Sequence, residues 1–370
     1  MSENAATENA ATPHNTTAAP LDAAQAADAA FAALGDKPFP DDIFTAPQLR
    51  WAVIGCGVIA RQMAQSLALA GRHLVGVANR HRDKAEAFAA QYGVPKVYDD
   101  FEQLYADPDV DVIYITTPHN THVHYLRGAL GAGKHVLCEK SITLNSDELA
   151  EALSIADANH VQLVDATTIL HMPLYRRLIA RAMAGEFGNM NLAQISFGSY
   201  KEFDPKNRFF NRNLAGGAML DIGVYALSLA RLFMVSQPDD VVSVVNACET
   251  GVDVTSGIVM RNAELQMAVI SLSLHSKQPK RAVLSFDKCY VEVTNYPRAD
   301  VCRIVWTEDG RVEEFRAGEE AYALCYEAAD LERAVAGDEV ERNMIAYSED
   351  VMALMTNLRR QWGIRYPEEE

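Results

Sequence analysis

Apolar and polar positions along this chain follow two periods, and the switching between them sets out the architecture. From Leu49 onward, short apolar runs alternate with stretches whose apolar residues recur every three to four positions. The runs read as strands and the periodic stretches as helices. Strands are predicted at 51–54, 73–79, 97–98, 112–117, 135–138 and 161–166, and helices at 58–70, 82–92, 101–105, 125–132 and 146–159. The run 112–117 is β-branched and aromatic, as a strand covered on both faces should be. Repeated βα units of this length require a parallel sheet with right-handed crossovers, and ligands then sit beyond the carboxyl ends of its strands.

After about residue 170 the rhythm changes. A helix over 174–184 stops at Gly185 and Gly188, a strand over 192–200 follows, and a polar loop runs over 201–214. Gly216-Gly217 opens a helix to about Phe233. Seven strand-like runs then follow closely, at 241–248, 255–260, 266–275, 281–286, 290–294, 301–306 and 312–315, before two helices at 321–335 and 346–361. Closely spaced strands separated by turn residues predict a largely antiparallel sheet. The expected fold is an α/β Rossmann-type domain over 49–169 and an α+β domain with a large open sheet over 170–370. Residues 1–20 hold little that could build a core and are expected to be disordered. Within the leader, 21–34 is Ala-rich with Leu21, Phe31 and Leu34 as its large apolar anchors. It reads as a flexible segment or as an arm on a neighbouring subunit.

Composition narrows the partners. The net charge of −17 argues against nucleic acid and anionic membrane. The six cysteines form no CxxC pair, which fits reduced thiols. No apolar run reads as long enough to span a bilayer, and the opening segment lacks the charged start and apolar core of a secretory signal. A cytoplasmic location is the expectation. The ten histidines show no H-E-x-x-H spacing, so metal catalysis has no support.

The chemistry begins at Trp51-Ala-Val-Ile-Gly-Cys-Gly-Val-Ile-Ala60. Strand, glycine turn and helix stand here in the order a dinucleotide site requires. Gly55 permits the tight turn, Gly57 lets a pyrophosphate reach bare backbone, and Ala60 lets helix and strand pack closely. The free N–H groups at the helix start, around Val58 and Ile59, then face the phosphate charge. The second strand ends at Asn79-Arg80, where an NAD enzyme usually carries an acid. A guanidinium can pair with a 2′-phosphate and stack on adenine. Asn79 and Arg80, with Arg82 nearby, therefore favour NADP; NAD is the alternative, with the arginines merely exposed at a helix entrance.

Three further stretches fall at strand ends or just beyond the first domain: Thr116-Thr-Pro-His-Asn-Thr-His122, Cys138-Glu-Lys-Ser141 and Gly216-Gly-Ala-Met-Leu-Asp-Ile-Gly-Val-Tyr225. Together with the glycine turn, they resemble the glucose–fructose oxidoreductase / inositol dehydrogenase / rhizopine catabolism (Gfo/Idh/MocA) family over residues 49–362. The pattern is nearest to the dihydrodiol dehydrogenase and glucose–fructose oxidoreductase branches, in which Tyr stands where other members carry His, four residues after the Asp. The resemblance implies that Lys140, Asp221 and Tyr225 are active-site residues and that Glu139 contacts the nicotinamide ribose. It also implies an NAD(P)-dependent oxidoreductase acting on a sugar, cyclitol or vicinal diol. The family motif Glu-Lys-Pro departs here to Ser141, which puts the backbone path after Lys140 in question.

The residues themselves support this chemistry. Hydride transfer at a carbinol carbon needs a group that exchanges the hydroxyl proton. Asp221 and Tyr225 are four apart on a predicted helix and share a face. A lysine ammonium near the phenol would lower its pKa from about 10. Tyr225 is thus expected as acid/base, Lys140 as the residue that tunes it and holds the substrate hydroxyl, and Asp221 as the residue that orients substrate or lysine. Thr117, Pro118, His119 and His122 are expected around the nicotinamide, with a satisfied turn histidine as the alternative at His119. His171 is expected near the substrate or in interdomain packing. Arg208 and Arg212 read as exposed loop charges rather than substrate ligands. Apolar residues on both alternation phases of 241–306 predict a homodimer or homotetramer joined through that sheet. Two alternatives stand beside this reading: a non-catalytic dinucleotide-binding regulator, against which the intact Lys140, Asp221 and Tyr225 argue, and a glycoside-processing enzyme with retained NAD.

Overall fold

Strand β1 (Trp51–Ile54) is buried on both faces and lies at the centre of a six-stranded parallel sheet. Its companions are β2 (Gly76–Ala78), β3 (Lys96–Val97), β4 (Val112–Ile115), β5 (His135–Cys138) and β6 (Leu163–Asp165), in the order β3-β2-β1-β4-β5-β6. Helices α1 (Val58–Leu69), α2 (Arg82–Tyr92), α3 (Phe101–Ala106), α4 (His122–Gly131) and α5 (Ser146–Ala158) make the crossovers. The strand order reverses between β1 and β4, and a crevice opens there at the carboxyl ends. The structure, a computed structural model, describes residues 39–370. The expected disordered residues 1–20 and the Ala-rich segment 21–34 lie outside them.

The second sheet has eight strands in the order β14-β13-β12-β11-β7-β10-β9-β8. They are β7 (Met190–Gly198), β8 (Asp240–Ala247), β9 (Asp253–Arg261), β10 (Met267–Ser273), β11 (Gln278–Phe286), β12 (Cys289–Thr294), β13 (Val301–Trp306) and β14 (Val312–Arg316). The sheet is antiparallel except where β7, first in sequence, inserts between β11 and β10 and runs parallel to β10. The chain therefore combines a Rossmann-type parallel sheet with a mostly antiparallel open one.

Helix α6 (Pro173–Met183) connects the two sheets, and α7 (Val224–Phe233) packs on β7 and β10. The last helices, α8 (Ala323–Ala336), α9 (Glu339–Asn343) and α10 (Ile345–Gln361), return toward the first sheet. Leu324, Ala328 and Leu331 of α8 join one apolar core with Trp51, Val53 and Met63. Glu332 of α8 is buried there, accepting from the Trp51 indole at 3.0 Å and pairing with Arg72. Such a pair is costly to break from one side, because a buried charge is left uncompensated. The return of α8 thus ties the end of the chain to the core of the first sheet. The stretch 212–233 is long and apolar enough by composition to cross a membrane, contrary to the sequence expectation. It is 78% buried inside the fold, as a core segment is.

Candidate active site

The crevice holds a cavity of about 810 Å³ that runs from the glycine turn after β1 to the start of α7. At one end, Gly55 has φ +104°, and a Cβ there would come within 2.4 Å of the Thr116 hydroxyl. A side chain would therefore both strain the backbone and collide with β4. A Cβ on Gly57 would meet nothing within 4 Å, so the backbone there stands open to the cavity. Gly57 caps α1 with no side-chain hydrogen bond, so the first N–H groups of α1 remain available to an anion. These features fit a dinucleotide pyrophosphate.

Gly55, Gly57, Val58, Ile59, Asn79 and Arg80 all line the cavity. The Asn79 side-chain oxygen is occupied by the His81 N–H at 2.9 Å. Arg82 is committed elsewhere, to Glu86 and Asp99. Lys84, four residues on from Arg80 in the first turn of α2, lines the cavity in its place.

Farther along, Thr117, Pro118, His119, Glu139 and Lys140 line the middle of the cavity. Burial and the nearby Lys140 push the His119 pKa down to about 3, so the ring is neutral. His122 does not reach the cavity. It is fully buried, with Nδ1 3.0 Å from the Ser141 carbonyl and Nε2 2.8 Å from the Thr117 carbonyl. It ties the 117–122 turn to the strand end that carries Lys140. The Lys140–Ser141 peptide is cis, and the Ser141 hydroxyl donates to the Leu220 carbonyl at 2.9 Å. Glu139 accepts a hydrogen bond from Tyr114, a tyrosine in an otherwise aliphatic strand.

The far wall is the segment that opens at Gly216-Gly217 and leads into α7. Gly217 has φ +122°, and a Cβ there would lie 2.3 Å from the Asp253 carboxylate. Asp253 is buried and accepts from the Met219 N–H at 2.6 Å, which starts a π-helical turn, Met219–Gly223, ahead of α7. The predicted single helix is thus a wide turn followed by an α-helix. Asp221 and Tyr225 face the cavity from this segment. Lys140 donates to the Asp221 carbonyl at 2.7 Å and its carboxylate at 3.2 Å, and its ammonium lies 5.0 Å from the Tyr225 ring centroid. Arg208 is the exposed loop charge read from sequence, and it also lines the cavity with Phe209, 3.6 Å from Asp221.

Electrostatics assign the charge states. Burial disfavours the Asp221 carboxylate, but Lys140 and Arg208 outweigh it and hold the pKa at about 2. Burial also opposes the Lys140 ammonium, and Asp221 and Tyr225 more than compensate, raising its pKa. At Tyr225 the balance falls the other way from the sequence expectation. Burial raises the phenol pKa, and the opposing pull of Lys140 reverses only part of that. The site at neutral pH is therefore an ammonium, a carboxylate and a protonated phenol.

His171 is placed away from the cavity. It is 3% exposed, with Nδ1 2.7 Å from Asp330 and Nε2 2.8 Å from the Asp165 carbonyl. Both ring nitrogens are occupied in the packing between α8 and β6, so it has no free position for a substrate. Arg212 pairs with Glu370 and donates to the Arg365 carbonyl, outside the cavity.

This fold and cavity define a nucleotide-binding oxidoreductase. A profile described as "Oxidoreductase family, NAD-binding Rossmann fold" matches residues 49–166, and one described as "GFO/IDH/MocA C-terminal domain" matches 175–294. The chain belongs to the Gfo/Idh/MocA family. It is 31% identical over 249 residues to trans-1,2-dihydrobenzene-1,2-diol dehydrogenase of Mus musculus, covering 66% of this chain and 74% of that one. It is 27% identical over 337 residues to the Sus scrofa protein of the same name, covering 87% and 99%. A 3-ketoreductase from Actinomadura kijaniata, solved with NADP and TDP-benzene, shares the fold with a TM-score of 0.74, at 23% identity over 85% of this chain and 98% of that one.

Proposed function

We propose that this oxidoreductase transfers hydride between NADP(H) and a carbinol or carbonyl carbon of a sugar, cyclitol or vicinal diol, with Tyr225 as acid/base. The observation that carries the reading is the convergence of Lys140, Asp221 and Tyr225 on one wall of the cavity, beside Glu139 and beyond the glycine turn. The bound dinucleotide would supply or accept the hydride. Tyr225 gives its proton to the oxygen of a carbonyl being reduced, and takes it back from the hydroxyl in the reverse direction. Lys140, held charged, donates to that same oxygen and stabilises its developing negative charge. Asp221 fixes Lys140 through two oxygens and keeps it an ammonium.

NADP over NAD is supported by Arg80 and Lys84 at the adenosine end, where the second strand ends in Asn79 rather than an acid. The Actinomadura kijaniata enzyme was solved with NADP. A sugar or diol substrate is supported by the names of the relatives, a diol dehydrogenase and a 3-ketoreductase.

The test is a panel of sugars, cyclitols and vicinal diols, with growth of reduced nicotinamide followed at its absorbance. Turnover that is lost in Lys140→Met supports the reading. A dinucleotide that stays bound through dialysis while no member of the panel is oxidised would instead favour a glycoside-processing enzyme.

A further inference from the structure

We propose that the substrate carries an acidic group, a carboxylate or a phosphate ester, held by Lys201, Lys280 and Arg298 next to the reacting carbon. This rests on the reading that Lys140 and Tyr225 mark the point of reaction. The chain has 50 acidic and 33 basic residues, so cations have an ample supply of partners. Exposed arginines elsewhere use it: Arg127 pairs with Glu151, Arg181 with Glu186 and Glu313, and Arg281 with Glu292. Among the described residues, Lys201, Lys280 and Arg298 form no ion pair.

None of the three lines the cavity, but Lys201 and Lys280 each cover an aromatic ring beside its Tyr225 end. The Lys280 ammonium lies 5.0 Å from the Phe197 ring centroid, and that ring lies 6.1 Å from Tyr225. The Lys201 ammonium lies 4.6 Å from the ring of Phe209, a cavity residue that Arg208 covers at 4.3 Å. Arg298 donates to the Gln62 side chain at 3.3 Å from each terminal nitrogen, and its charge reaches Tyr225 and Glu139. The acids acting on Lys280 are Glu320 and Asp221, and Asp221 is already engaged by Lys140. Burial lowers the Lys280 pKa, and Arg298 and Lys201 lower it further, so the cations repel one another. Like charges gathered without an ion-paired acid cost free energy that an anionic ligand would recover. Two lysine point charges and a guanidinium fork suit a carboxylate or a phosphate equally. This cluster is separate from Arg80 and Lys84, which lie at the dinucleotide end.

The test uses enzyme saturated with reduced dinucleotide, which fills the adenosine end, titrated separately with inorganic phosphate and malonate. Bound-nicotinamide fluorescence reports occupancy. Saturable binding of either anion is expected, weakened about ten-fold or more in Lys201→Ala/Lys280→Ala, the usual worth of lost charge-assisted contacts. The distant surface variant Lys288→Ala should bind as the parent does. Tighter phosphate binding assigns a phosphate ester and tighter malonate binding a carboxylate. No saturable binding, or parental affinity in the double variant, overturns the proposal. Turnover of a neutral diol without anion binding would remove this proposal and leave the oxidoreductase reading intact. Arg298→Gln, assayed the same way, guards against a fold defect in the double variant.

Discussion

The Lys140 ammonium is held by two oxygens of one residue, the carbonyl and the carboxylate of Asp221, at 2.7 and 3.2 Å. The Lys140 charge is therefore fixed from the segment that also carries Tyr225, so that phenol and ammonium are positioned as one unit.

Tyr225→Phe keeps the ring and its packing on Phe197 and loses only the hydroxyl. Turnover should fall by roughly 10² to 10⁴, the worth of a positioned acid/base, with dinucleotide affinity nearly unchanged. Lys140→Met should also impair turnover, and the combined variant should lose much less than the product of the two losses. Steady-state rates and dinucleotide titrations decide this; parental turnover in Tyr225→Phe would move the proton route elsewhere.

Asp221 raises the pKa of both Lys140 and Tyr225. With Asp221→Asn, the phenol should ionise at lower pH. In the reduction direction, which needs the protonated phenol, the alkaline fall in rate should start at lower pH than in the parent. A pH–rate profile of the variant that coincides with the parent's would show that Asp221 does not tune this group.

Cofactor choice should depend on Arg80 and Lys84. Replacing each by Ala should weaken NADP binding about ten-fold, the loss of a charge-assisted contact, and leave NAD binding close to parental. Dissociation constants for both dinucleotides give the answer, and equal losses for both would assign these residues a general role.

Glu327 of α8 is fully buried beneath Glu139. It interacts with the Thr168 hydroxyl, but neither carboxylate oxygen has a partner of ordinary hydrogen-bond geometry. Burial first and the Glu139 charge second push its pKa up to about 8. The folded chain therefore holds a proton that the unfolded chain releases. The stability this contributes is full below the ordinary carboxylate pKa and is lost as pH rises through about 8. Glu327→Gln, which cannot ionise, should match the parent near pH 5 and exceed it by about 2–4 kcal/mol near pH 9. Denaturant unfolding at the two pH values measures this, and a difference independent of pH would contradict it.

One face of the second sheet presents a row across three strands, Val242, Val259 and Val269, in register and 66%, 40% and 39% exposed. Val244 on β8 is 74% exposed. Such a face is expected to be covered by a second copy. Light scattering at micromolar concentration should give a dimer or tetramer, and Val244→Glu should shift it toward monomer. A monomeric parent would refute the assembly.

The sequence by itself determined whatever depends on neighbours within a few residues. The glycine turn at Gly55 and Gly57, the succession of βα units, and the four-residue spacing of Asp221 and Tyr225 were all legible, because turn sterics and helical period are local. The switch to an antiparallel sheet was legible for the same reason. The tertiary structure decided what depends on residues far apart in the chain. It inserted β7 into the middle of the second sheet and brought α8 back to bury Glu332 and Glu327. It turned His122 and His171 into packing groups by occupying both nitrogens of each ring. It also set Arg208 against Asp221 and reversed the expected shift at Tyr225. Periodicity fixes which face of an element is apolar, but desolvation and charge pairing depend on which other elements cover that face, and the crossovers of the fold settle that.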